Sequence, residues 1–177
     1  MMECGIVVAM TRDHVIGNNG HLPWHISSDL KRFKEITTGN GVGKHAVIMG
    51  RRTWDSLPKS VQPLPHRFNI VVTSQHYANL DGVVFVKSVE EGMISAELND
   101  VEYLWFIGGS QLYEAAIPLC SYLHVTWVEA KISGDVYFPC FSEKDWLRVY
   151  TKSFSLKNDE HATTYVRYER ILPSIRT

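Results

Sequence analysis

Apolar, β-branched residues recur along the chain in short unbroken runs at positions 4–10, 46–49, 68–73, 83–86, 103–107 and 123–128. Continuous runs of this kind predict strands covered on both faces. Between them lie segments with helical spacing at 28–36, 53–57, 89–98 and 111–117. Strand alternating with helix predicts an α/β protein with an open, mostly parallel central sheet of about eight strands and helices on both faces. Two late runs, 146–154 and 163–171, have no helix between them and predict a closing antiparallel pair at the C-terminal end. No repeat, low-complexity tract or Pro/Ser-rich linker divides the chain, so residues 1–177 are expected to form a single domain. In such a sheet ligands sit outside the carboxyl ends of the strands, and the working residues are expected just after each strand.

A length of 177 residues agrees with one domain. Hydrophobic residues at 45% and charged residues at 21% exclude disordered, collagenous and coiled-coil classes. Eighteen Lys and Arg against nineteen Asp and Glu leave a net charge of −1. That charge supplies no global field for nucleic acid or an anionic membrane, so neither is an expected partner and any anionic ligand must be held by local cations. No stretch approaches the length of a membrane-spanning apolar run, and Met1-Met2-Glu3-Cys4 is not a leader pattern, so the expected location is cytoplasmic. Cys4, Cys120 and Cys140 are odd in number and widely spaced, which predicts reduced buried thiols and no disulfide frame.

Three features imitate functional motifs. The segment Gly39-Asn40-Gly41-Val42-Gly43-Lys44 lacks the Gly that a phosphate loop needs at Thr38 and the Gly that a dinucleotide fingerprint needs at Lys44, so it is read as a connection. His21 and His25 stand four apart, yet Pro23 prevents the helix that would align them, and no metal site is expected. Asn18-Asn19-Gly20 suits a type I′ hairpin turn, but the sequence after it is not strand-like, which favours a mobile lid.

Three other segments carry chemistry. After Leu22-Pro23-Trp24, Ser27 or Ser28 can cap a helix whose first turn holds Asp29. Alone, Asp29 reads as a surface acid complementing the helix dipole. Apolar Leu30 and Phe33 beside it suggest instead a carboxylate against an apolar wall, able to grip a flat amidine-like ring with two hydrogen bonds. Next, 47–54 runs from a buried strand through Gly50 into Arg51-Arg52-Thr53-Trp54, where free amides and two cations favour a phosphate. Finally, Ile107-Gly108-Gly109-Ser110-Gln111-Leu112-Tyr113 repeats the strand-to-helix design, with two glycines admitting a ligand close to the backbone. Adjacent arginines also occur as solvated surface, and glycine pairs as packing devices.

Taken in order and spacing, these segments resemble dihydrofolate reductase. The matching pieces are Val15-Ile16-Gly17, Leu22-Pro23-Trp24, Asp29-Leu30 with Phe33, Val47 to Arg51 with Thr53-Trp54, Leu64-Pro65 with Arg67 and Asn69, Ile107-Gly108-Gly109 with Tyr113, and Asp135 with Phe138-Pro139. The resemblance implies NADPH-dependent reduction of 7,8-dihydrofolate to tetrahydrofolate, the one-carbon carrier used in thymidylate and purine synthesis. It also implies inhibition by diaminopyrimidine or pteridine antifolates, and a monomer.

By the same resemblance Asp29 is the acid that grips the pterin, of the bacterial type, with Thr126 supporting it and Trp24 completing the catalytic group. Substrate would be lined by Val7, Val8, Phe33, Leu57, Leu64, Ile107 and Tyr113, with Arg67 pairing to the α-carboxylate of the glutamate tail. The cofactor would be held by Ala9, Ile16, Gly17, Leu22, Gly50, Arg51, Arg52, Thr53, Thr73, Ser74, Gly108, Gly109, Ser110, Gln111 and Leu112. Arg51, Ser74 and Gln111 would lie at the 2′-phosphate, Arg52 and Thr53 at the pyrophosphate, and a cis peptide would join Gly108 to Gly109.

Three positions depart from the family pattern: Gln111 stands where bacterial members often carry Arg, Leu22 replaces a common Met, and 59–62 is a small insertion. A pyrimidine reductase of riboflavin synthesis is an alternative on a similar sheet, but it gives Trp24, Asp29 and Arg67 no reason to occur together. A non-catalytic protein on the same scaffold is a second alternative, since fold alone does not establish activity.

Overall fold

In the computed structural model, which describes residues 1–78, 80–156 and 159–171, the apolar runs become strands of one eight-stranded sheet. The first half of the chain supplies β1 (Glu3–Thr11), β2 (Val15–Gly17), α1 (Ser27–Thr38), β3 (His45–Gly50), α2 (Arg51–Ser56), β4 (Phe68–Val72) and β5 (Val83–Val86). The second supplies α3 (Val89–Leu98), β6 (Tyr103–Phe106), α4 (Ser110–Ala116), β7 (Tyr122–Val128), β8 (Val136–Tyr137), β9 (Trp146–Phe154) and β10 (Thr163–Arg170). The spatial order is β5-β4-β3-β6-β1-β7-β10-β9. All neighbours are parallel except β10, which runs against both β7 and β9, as the helix-free connection before it predicts. Residues 172–177 of the expected domain lie outside the described residues.

Alternation along each strand sends successive side chains to opposite faces. On one face Ile6, Met10, Ile48, Ile70, Leu104 and Phe106 pack with Ala96 of α3 and Leu112, Tyr113 and Ala116 of α4. On the other, Val7, Val47, Met49, Val71 and Trp105 pack with Phe33 and Ile36 of α1 and Trp54 of α2. Helices therefore cover both faces, which is why the central strands read as continuous apolar runs.

Local details correct several expectations. Neither Ser27 nor Ser28 caps α1; the preceding residue Ile26 makes no side-chain cap, and the Ser28 amide donates to Asp159 at 3.1 Å. The capping carboxylate thus comes from 131 residues downstream, where no local sequence signal exists. Asn18-Asn19-Gly20 forms the tight hairpin turn that Asn-Gly suits. Asn18 and His21 exchange backbone hydrogen bonds, Asn19 and Gly20 have φ of 51° and 80°, and the Asn19 amide donates to Asp135. Its arms meet in a single bridge, too short to register as a pattern, and the preceding β2 has three residues and pairs with the two-residue β8. Gly39 ends α1 in the left-handed conformation, and a Cβ there would collide with His45, so this glycine is structural. Cys4 and Cys120 are buried free thiols, whereas Cys140 is exposed, in contrast to the expectation that all three are buried.

His124 on β7 is held by Tyr165 of the neighbouring β10, with 2.7 Å between Nδ1 and the phenol oxygen, and stands edge-on to Trp105. Burial, and then the Arg167 charge, push its imidazole down to about 4 from 6.5. A base whose folded value is depressed binds its proton more readily unfolded, so stability is lost as pH falls from about 6.5 toward 4. The full effect is on the order of 3 kcal/mol. Urea denaturation from pH 7 to 4 should show this loss, and His124→Gln should flatten it; an unchanged slope in the variant contradicts the assignment.

Candidate active site

At the start of α1, Asp29 sits in the first turn, where a carboxylate complements the helix dipole. Its side chain is only 20% exposed, however, because the start of the helix turns it toward Thr126 of β7. From that strand Thr126 Oγ1 donates to Asp29 Oδ1 at 2.6 Å, the short distance of a charge-assisted bond. Oδ2 accepts no hydrogen bond among the described residues, which leaves one edge of the carboxylate for a ligand. Leu30, expected beside it, is exposed; Phe33, one turn on, supplies the apolar wall with Val7, Trp54, Leu64, Leu57 and Ile107. Burial pushes the Asp29 carboxyl above its ordinary value, opposed by the hydrogen bond from Thr126 and by Arg32, with Asp159 adding a smaller upward push.

Sequence reasoning missed Arg32. Its Nη2 lies 3.5 Å from Asp29 Oδ1 and 3.4 Å from Thr126 Oγ1, bringing a cation to the same corner. The i, i+3 spacing from Asp29 was the available signal.

Other site residues divide by face. Val7 opens toward Phe33, while its carbonyl accepts a 3.0 Å bond from Tyr113 of α4. Val8 belongs to the opposite core with Tyr113 itself. Burial, and secondarily the Asp29 charge, push the Tyr113 phenol far up, so it remains a donor. Trp24 is buried with Ile26 and Val128 beside Ala9, just before α1, whereas Leu22 is exposed.

Arg67 stands at the far end of the apolar wall and is preorganised. Nε donates to Pro65 O at 2.9 Å, Nη1 donates to Thr37 Oγ1 at 2.7 Å, and the guanidinium lies 5.9 Å from the Phe33 ring centre. Nη2 makes no hydrogen bond among the described residues. Burial lowers its basicity without removing the charge at neutral pH. Asn69, wholly buried, sets this loop: it accepts from Leu64 N and donates to Leu64 O and Arg67 O, all at 2.9 Å.

The two strand-to-helix turns lie side by side because β3 and β6 are neighbours. Gly50 N donates to Gly108 O at 2.8 Å, and the Gly108–Gly109 peptide is cis. A Cβ on Gly50 would meet only Gly108 O and Gly109 N, both at 3.8 Å, so the backbone here is open to close approach. Arg51 begins α2, half-buried, and pairs with Asp55 one turn on at 2.9 Å; Arg52 is exposed and Thr53 half-buried. Ile16 and Gly17 are on β2. Thr73 Oγ1 accepts from Gln75 N in its own turn, Ser74 and Gln111 are exposed, and Ser110 donates to Tyr137 O at 2.6 Å. Leu112 is buried in the core, where it offers a ligand its backbone alone.

A family model described as dihydrofolate reductase matches residues 3–170. The dihydrofolate reductase of Mycobacterium leprae is 39% identical over 152 residues, 84% of this chain and 87% of that protein. That of Drosophila melanogaster is 38% identical over 150 residues, covering 81% and 82%. The bifunctional dihydrofolate reductase-thymidylate synthase of Daucus carota is 35% identical over 181 residues, but this chain spans only 34% of its length. A solved structure of dihydrofolate reductase from Enterococcus faecalis, complexed with NADP(H) and RAB-propyl, superposes with a TM-score of 0.81 at 31% identity, covering 95% of this chain and 96% of that one. The match runs from the first strand to the last and takes in Asp29, Arg67 and both glycine turns: the chain belongs to the dihydrofolate reductase family.

Proposed function

We infer that this chain reduces 7,8-dihydrofolate to 5,6,7,8-tetrahydrofolate with NADPH. The observation that carries the reading is Asp29: a secluded carboxylate, one oxygen tied to Thr126 and the other edge free, at the head of an apolar wall that ends in a poised arginine. That arrangement fits a molecule with an amidine-like edge, a flat middle and an anionic tail, which is the shape of dihydrofolate. Val7, Phe33, Leu57 and Leu64 hold the flat part by apolar contact, and Arg67 presents Nη2 to the α-carboxylate.

The turns after β3 and β6 fit NADPH: open backbone at Gly50 and Gly109, with Arg51 and Arg52 beside it. When bound, the cofactor supplies the hydride that reaches C6. The chain's own contribution is electrostatic. C6 becomes electrophilic once N5 is protonated, and the Asp29 charge, in a site dried by Phe33 and Trp24, raises the basicity of N5 so that water can deliver the proton. Loss of the near-ultraviolet absorbance of NADPH on adding dihydrofolate, blocked by a diaminopyrimidine, is the expected result. No consumption by the purified, folded chain would overturn the reading.

Preference for NADPH over NADH rests on Arg51, since Gln111 carries no charge. The Asp55 pair does not prevent this, because an i, i+4 pair so exposed is worth only about 0.3–0.5 kcal/mol and yields readily to a phosphate. Losing one charged hydrogen bond costs roughly 1.5–3 kcal/mol, so Arg51→Ala should weaken NADPH about tenfold or more and spare NADH. Equal losses for both cofactors in fluorescence titrations would show that Arg51 acts otherwise. The protein is proposed to act as a cytoplasmic monomer.

A further inference from the structure

We propose that Arg32 is a positioning residue for Asp29, holding its carboxylate charged and aimed at the ligand edge while the site is empty of substrate. The proposal rests on the reading of Asp29 as the acid that grips the pterin, and concerns what keeps that acid ready.

Arg32 is not an ordinary helix-surface partner. An i, i+3 ion pair on a helix usually lies in water and contributes little. Here the arginine side chain is 12% exposed and the aspartate 20%. The guanidinium lies between two rings, 4.5 Å from the centre of Phe154 on β9 and 4.7 Å from that of Tyr165 on β10. The faces of those rings offset part of the loss of water around the charge. Its Nε is buried and has no hydrogen-bond partner among the described residues. A buried cation with an unpaired N–H is unfavourable for the fold, and an apolar side chain of similar volume would pack there at lower cost. What the arginine does achieve is at its tip, where Nη2 reaches Asp29 Oδ1 and Thr126 Oγ1 together. The first contact is to Asp29 Oδ1 and the second to the hydroxyl that itself donates to Oδ1, so both supports act through that one oxygen and none falls on Oδ2 among the described residues.

The groups acting on Asp29 come from every element around it. Thr126 on β7 donates a hydrogen bond, Arg32 on α1 supplies positive charge, and Asp159, between β9 and β10, opposes it with negative charge. Tyr113 on α4 is uncharged, as is Tyr165, whose phenol is pushed up chiefly by burial. Arg32 is therefore the cation that offsets burial of the acid. An opposite charge within about 4–6 Å moves a carboxyl by about 1–3 units.

The test is a carbon-13 NMR titration of the carboxyl group of Asp29 in the ligand-free chain. Arg32→Leu should raise the midpoint by about one pH unit or more, a tenfold gain in proton affinity, and Arg32→Lys should return most of it. Arg32→Gln, which keeps a planar polar group without charge, should behave as Arg32→Leu and serves if the leucine variant does not fold. A midpoint unmoved in a folded neutral variant overturns the proposal. The wild-type chain provides an independent check: the guanidinium resonances of Arg32 should shift in step with the Asp29 titration, and resonances indifferent to it overturn the proposal. A wild-type chain that ignores dihydrofolate would instead overturn the reading of the site and leave the titration result standing.

Discussion

Asp29→Asn should reduce turnover at neutral pH by about a hundredfold or more while leaving the sheet intact, and should recover part of the loss as the medium is acidified. Asparagine keeps the size of the side chain and can still accept the Thr126 hydroxyl, now at 2.6 Å from Asp29 Oδ1. It lacks the charge that makes N5 a better base. Below the point where dihydrofolate is protonated in solution, that contribution is no longer needed and the variant should approach the wild-type rate. The wild-type profile should behave differently at low pH, because the Asp29 carboxyl is pushed up by burial and begins to lose its charge sooner than an exposed aspartate. Single-turnover hydride transfer measured across pH separates these effects from product release. Low activity that stays flat down to the limit of stability would refute the electrostatic role.

The second large effect is expected at Arg67. Arg67→Leu should raise KM for dihydrofolate about 30- to 1000-fold and change kcat little, because the tail carboxylate is bound alike in ground and transition states. That range corresponds to one or two charged hydrogen bonds at roughly 1.5–3 kcal/mol each, partly replaced by water. Leucine also removes the bonds to Pro65 O and Thr37 Oγ1, which hold the loop to α1. A pterin substrate without the glutamate tail distinguishes the causes. Its KM should not change in the variant if Arg67 serves the carboxylate, and should rise with that of dihydrofolate if the loop has simply collapsed.

What the sequence disclosed follows from locality. The strands of the buried sheet were visible because covering both faces forces unbroken apolar runs, and Asp29, Gly50 and Gly108 were visible because each sits at a helix start or a strand-to-helix turn. The resemblance then added Thr126, far away in sequence, whose bond to Asp29 the fold provides by bringing the start of α1 to β7. Arg32 was hidden because an arginine in an amphipathic helix looks solvated unless one knows that Phe154 and Tyr165 will enclose it. Asp159 was hidden because its partner, the Ser28 amide, is a backbone group with no signature in side-chain type. The arms of the 18–21 turn were hidden for another reason: they meet in a single bridge between Asn18 and His21, shorter than any periodicity can reveal.

Asp159 has a consequence for how the chain is made. The carboxylate that closes the amino end of α1, like the two rings that enclose Arg32, comes from the last hairpin, whereas Asp29 emerges early during translation. A nascent polypeptide halted before residue 154 would hold the acid without the rings that flank Arg32 and with the start of its helix uncapped. On a ribosome working at about 5–20 residues per second, the pterin cradle is therefore among the last regions to set, several seconds after the acid itself has been synthesised.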